Sequence, residues 1–310
     1  MAIVKARSDI MKFRAHDTFF IRKGWLYKGM KNVLNDKYVF MGVNGNPMDI
    51  LGIGSNMVKS LRYWLQAVGL TTEPISGKRF QEFTPLGNII FEHDKYIEEM
   101  GTLWLLHYKL ASNINEATAW YYFFNEFKQS EFTRDDFVMQ LDTYIRMSGE
   151  EEKSNRILTD DFNCIISTYV PRIKSNPEKV QPESNIDCPL GELDMVDIVN
   201  KKAKIYKKSI PKIDAIHPVI ALAVIVDNYN NSDEIKISSI LNDSCNVGKI
   251  FNLDIITLTA ILNRIELMGY IKVNRTAGLD VIKLSDTIQG ETHVEKFLWC
   301  VNEYYRVINA

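Results

Sequence analysis

Three short groups of residues in this chain could work on a phosphodiester: His16-Asp17, Glu92-His93-Asp94 and Asp160-Asp161. Metal-assisted hydrolysis needs oxygen ligands around a divalent ion and a group that activates water, which is the chemistry a carboxylate beside an imidazole can offer. His16-Asp17 comes first because of its surroundings. Residues 12–31 contain Lys12, Arg14, Arg22, Lys23, Lys28 and Lys31 against Asp17 alone, a net charge of +5 where a phosphate could arrive. In that reading Asp17 holds Mg²⁺ or Mn²⁺, and His16 activates water or shuttles a proton. Each group also has a plainer role. Asp17 could pair with Arg14 or Arg22, Glu92 to Asp94 could end a helix, and Asp160-Asp161 could begin one. No standard nuclease signature accompanies any of them.

The stretch from Pro47 to Phe91 would position these groups against a nucleic acid. Pro47 suits the first turn of a short helix, and Gly52 and Gly54 suit a tight turn after it. Ser55 is a possible cap for a second helix in which Met57, Val58, Leu61, Trp64, Leu65 and Val68 form an apolar stripe. Asn56, Lys59, Ser60 and Arg62 fall on the other face. Gly69 ends the helix, and residues 70–72 and 80–83 read as two strands joined by the basic turn Ser76-Gly77-Lys78-Arg79. Thr84 and Pro85 then cap and open a helix over 86–92. This is a winged-helix pattern. It predicts duplex DNA contact through Arg22, Lys23, Lys28, Lys31, Asn56, Lys59, Arg62, Lys78 and Arg79, with Phe19, Trp25 and Leu26 in the core. Winged helices also pack proteins together, so a pure interaction module is the alternative.

The chain has 310 residues, 46% of them hydrophobic, enough for a sizeable core. Its net charge of -2 announces no nucleic-acid partner by itself. The distribution does: residues 1–91 hold 13 basic and 6 acidic side chains, net +7, and residues 92–161 hold 7 and 15, net -8. Cys164, Cys188, Cys245 and Cys300 are too irregularly spaced for a zinc site and read as reduced thiols. No N-terminal stretch has a signal-peptide shape, and the longest apolar run, Val219 to Val226, is far too short to span a bilayer. The expected location is the cytoplasm, with no membrane partner.

Residues 101–112, 115–128 and 133–148 read as three helices rich in Trp and Tyr, the last capped by Thr133, and 158–169 as a fourth. No cofactor box stands among them, and no nucleotide cofactor is expected. Pro171 to Pro189 has linker composition. Lys201, Lys202, Lys204, Lys207, Lys208 and Lys212 follow without an intervening acid, alternating with Ala203, Ile205 and Ile210 on a strand, and such a run is ordinarily a solvated face. Helices over 216–228, 237–241 and 253–268, a hairpin through 270–282 and a last helix over 294–307 then repeat the opening pattern. The expected fold is mainly α with small β-wings: a cationic segment and winged helix over 1–100, a helical middle over 101–170, a linker over 171–200, and a second winged-helix unit over 201–310.

Three strings, residues 16–29 (HDTFFIRKGWLYKG), 54–64 (GSNMVKSLRYW) and 101–107 (GTLWLLH), resemble a bacterial family of domains of unknown function numbered four-thousand-and-seven. The resemblance runs from about residue 12 to near the C-terminus. Members are encoded beside PAPS-reductase-like proteins in DNA phosphorothioation operons, and they include the SspB-type component, regarded as a DNA-nicking protein. The resemblance implies phage defence, DNA binding and a PAPS-reductase-like partner; it carries over no catalytic residues. Two non-enzymatic readings stand beside a metal-dependent nickase: a winged-helix recruiter of a sulfur-inserting partner, and a transcriptional regulator.

Overall fold

A computed structural model describes residues 11–74, 77–171, 187–229, 234–276 and 279–310, and shows a mainly helical chain with three small antiparallel sheets. The first helices are α1 (Trp25–Asn35), α2 (Pro47–Leu51) and α3 (Ser55–Ala67), followed by strands β1 (Thr71–Thr72) and β2 (Glu82–Phe83) and helix α4 (Pro85–His93). The middle contains α5 (Met100–Ala111), α6 (Thr118–Tyr121), a π-helical turn (Tyr122–Glu126), β3 (Glu131–Phe132), α7 (Arg134–Met147) and α8 (Asn155–Tyr169). After it come β4 (Val196–Asn200), β5 (Ile205–Lys208), α9 (Pro218–Asn228), β6 (Glu234–Lys236), α10 (Ile237–Asn242), α11 (Val247–Ile250), α12 (Ile255–Leu267), β7 (Ile271–Thr276), β8 (Leu279–Leu284) and α13 (His293–Ile308).

Local signals explain the boundaries. Asn46 accepts the amide of Met48 ahead of Pro47, and Thr84 accepts the amide of Gly87 ahead of Pro85. Thr133 and Asp136 form a reciprocal capping box at the start of α7. Ser55 turns out not to be a cap: Gly54 stands there, and the first turn of α3 has no side-chain acceptor. Gly87 lets α4 lie directly on the chain leading into β1, because a Cβ there would sit 2.0 Å from the Leu70 carbonyl oxygen. The helix α1 falls where the sequence shows only interleaved aromatics and cations, and the helix expected over 115–128 splits into α6 and the π-helical turn.

α5 and α9 form the centre. α9 is apolar on all sides and buried from Pro218 to Val226, as a helix surrounded by other elements must be. It packs against α5, α11, α12 and α13. Trp104 on α5 donates its indole N–H to the Ala215 carbonyl at 2.7 Å, and Thr102 meets the Tyr305 hydroxyl at 2.6 Å. These contacts tie the helical middle to the C-terminal part through one continuous buried core. The sheets do the same: β5 pairs with β3, Phe132 opposite Tyr206, as well as with β4. A Pro-rich composition marks loops, but it does not disclose that the chain beyond returns to the core it left. Of the expected linker, residues 172–186 lie outside the described residues. No single helix among the described residues is long and apolar enough to cross a membrane.

Candidate nucleic-acid interface

The segment 12–24 wraps around α3 and is fastened to it. Trp64 donates its indole N–H to the Phe19 carbonyl at 2.8 Å, and Ser60, expected on the polar face, is fully buried with its hydroxyl aimed at the same oxygen. His16 is carried into the core by this wrap. Its ring is 1% exposed, stacked on Trp64 and edge-on to Trp120, and its Nε2 lies 2.7 Å from Asp161 Oδ1 on α8. The Thr18 amide donates to His16 Nδ1 at 3.1 Å, so Nε2 carries the proton and donates it to the carboxylate. Asp161 also accepts the Arg14 amide, while Arg14 Nε pairs with Asp160. Burial pushes the Asp161 carboxyl up, and the hydrogen bond from His16 opposes that shift.

This arrangement corrects the expected catalytic pair. His16 is enclosed by aromatic rings and committed to two hydrogen bonds, so it cannot meet a solvent-borne phosphate. Asp17 turns the other way, half-exposed and left-handed at φ 48°, with no ion pair or side-chain hydrogen bond among the described residues. Neither Arg14 nor Arg22 pairs with it: Arg14 takes Asp160, and Arg22 lies over the Phe19 and Trp25 rings. Asp160 and Asp161 stand inside α8, not at its start. Asp94 ends α4 and accepts the amides of Glu98 and Glu99. Among the described residues no three His, Cys, Asp or Glu side chains gather as metal ligands.

The cations divide into separate places. Lys59 and Arg62 of α3 and Arg79 of the hairpin line one cleft of about 420 Å³ together with Lys12. Two of these four are already neutralised. Lys12 pairs with Glu116 at 2.5 Å, and Arg62 grips Glu73 with two bonds of 2.5 Å. Gln66 and Gln81 also donate to Glu73, so Arg62 is a brace between α3 and the hairpin and is not free to hold a phosphate, a correction to its expected role. Lys59 and Arg79 are exposed and have no ion pair among the described residues. Asn56 is exposed one turn before Lys59, at the end of α3 where the first amides have no side-chain cap. Lys78 sits over the Tyr38 ring at 4.5 Å.

Lys23, Lys28 and Lys31 belong to the α1 side. Lys23 and Lys31 are exposed and Lys28 half-buried. Lys23 lines a different cavity, of about 550 Å³, with Asp187, Glu192 and Asp194, whose charges would oppose a phosphate. Trp25 and Leu26 are core, and Tyr27 packs on Tyr96. Sequence reasoning missed Glu73 as the partner of Arg62, because nothing in a span of eleven residues signals a contact across a turn.

Residues 13–305 match a family described as protein of unknown function, DUF4007. The fold is similar to two solved structures: the magnesium ion-bound SspB crystal structure, at 22% identity, and the SspB crystal structure, at 23%. Each gives a TM-score of 0.82 over 96% of this chain and 89% of the other. No curated protein sequence matches.

Proposed function

We propose, from its membership of the DUF4007 family and the similarity of its fold to that of SspB, that this chain is the DNA-binding component of a bacterial phosphorothioation system for phage defence. The observation that carries this reading is the cleft lined by exposed Lys59 and Arg79, with the uncapped first turn of α3 directly before Lys59 in the chain. Free amides at a helix N-terminus and flexible cations around it suit the phosphates flanking a groove. Two element orders support reading both ends as winged helices: α1-α2-α3 followed by the β1–β2 hairpin, and α9-β6-α10-α11-α12 followed by β7–β8.

Magnesium, when bound, would polarise a phosphate and lower the pKa of a water. The donor set for it does not fit here: His16 is enclosed, and Asp17 belongs to no cluster of three or more His, Cys, Asp or Glu side chains among the described residues. The protein is a component that holds duplex for a PAPS-reductase-like partner. The test is duplex binding by fluorescence anisotropy across a salt series. Lys59→Glu with Arg79→Glu should weaken binding and flatten the slope of log affinity against log salt by about one per lost contact. Unchanged affinity in a folded double variant would remove this face. Open circles from supercoiled plasmid and Mg²⁺ or Mn²⁺, absent without metal, would return the reading to a nickase.

A further inference from the structure

A larger cavity, of about 750 Å³, opens on another part of the molecule, between the π-helical turn, β5, α11 and the start of α12. Its lining includes Lys128, Lys207, Lys208 and Lys249, and among the described residues its carboxylates are Asp197 and Asp254. Both carboxylates are engaged at their own positions. Asp197 accepts the Ser209 hydroxyl at 2.6 Å, and Asp254 caps α12 through the Thr257 amide at 2.7 Å. Lys207 stands in register between Glu131 and Asp197. Among the described residues none of the four lysines forms an ion pair.

Lys208 is the unusual member. Its strand position turns it inward, where Nζ donates to the Phe123 and Phe127 carbonyls at 2.5 Å each and lies over both rings. An ammonium has three N–H groups, so one remains beyond these two bonds. The half-buried ammonium has no counter-charge, and desolvation together with the charge of Lys249 holds the Lys208 amine down to about 7. One member of the expected solvated lysine run is thus a half-buried amine facing another cation.

We propose that this cavity binds a phosphorylated small molecule, its phosphate received by Lys207, Lys208 and Lys249. The volume lies in the usual range for small-molecule sites, and apolar walls such as Phe124 and Leu253 leave room for more than the phosphate. The recessed position of Lys208 suits a terminal phosphate and not the flank of a duplex. The proposal is independent of the DNA-binding face, which holds none of these residues.

Calorimetry on the full chain with pyrophosphate and with ADP, at pH 8 in two buffers of different ionisation enthalpy, tests it. Binding should take up protons, because an anion beside Lys208 favours its charged form. Lys207→Gln with Lys249→Gln, at exposed and half-buried positions, should weaken binding at least tenfold, whereas Lys59→Gln should not. Lys208→Met should abolish the proton uptake; if it does not fold, the double variant decides. Equal affinity for the two probes assigns the site to phosphate alone, and tighter ADP to a nucleoside phosphate. No binding at millimolar probe, an equal loss with Lys59→Gln, or displacement of pyrophosphate by a short duplex would overturn the proposal.

Discussion

Replacing His16 by phenylalanine removes one partner of a buried pair while leaving a ring of suitable shape among Trp64, Trp120 and Tyr63. Such a loss leaves the buried carboxylate short of a hydrogen bond, which costs about 2–3 kcal/mol. Here Asp161 Oδ1 would keep only the Arg14 amide, and Oδ2 has no hydrogen-bond partner among the described residues. At roughly 2 °C per kcal/mol for a large chain, the melting temperature should fall by about 4–6 °C at pH 8. The pH dependence has a definite sign. The Asp161 pKa is already raised by burial, and losing the hydrogen bond from His16 raises it further. A carboxyl raised on folding favours the folded state only while protonated, an advantage lost as pH rises through the folded pKa. The deficit of the variant should therefore be smaller at pH 5 than at pH 8, and Asp161→Asn in the same background should recover part of it. Urea unfolding of the single and double variants at both pH values measures this. A His16→Phe protein of unchanged stability that selectively lost plasmid nicking would refute the structural assignment and restore His16 to the chemistry.

Asp17→Asn is expected to change stability by no more than about 0.5 kcal/mol, since the carboxylate makes no hydrogen bond or ion pair among the described residues and Asn tolerates the left-handed backbone. A large loss of duplex affinity or of nicking in this variant would show a role the geometry does not supply. His107 on α5 is enclosed by Trp104, Phe124, Tyr169 and Phe251, lies within hydrogen-bond distance of the Tyr169 hydroxyl and the Ile250 carbonyl, and is pushed down to about 4 by burial. A histidine depressed on folding contributes stability that is complete above its unfolded pKa of about 6.5 and lost as pH falls towards 4, a change of roughly 3 kcal/mol. Urea titrations at pH 7 and 4.5 should show this loss in the wild type and not in His107→Gln; equal slopes in the two would refute it.

Much of the architecture was legible because its causes are local. The Thr133 capping box, the Thr84-Pro85 start, the apolar stripe of α3 and the all-apolar α9 each depend on residues within a turn or two of one another. Charge segregation and the three family strings are likewise properties of the chain read in order. What the sequence could not disclose were pairings across long separations. His16 meets Asp161 across 145 positions, Lys208 meets Phe123 across 85, and β5 returns to β3. Each decides whether a polar side chain faces solvent or the interior. Spacing places a residue on a face of its own helix or strand; only packing decides what lies against that face. His16 therefore reads as a catalyst in sequence and stands as a core hydrogen-bond donor in the fold, while Lys208 reads as solvated and is half-buried beside a cavity, its ammonium held by two carbonyls.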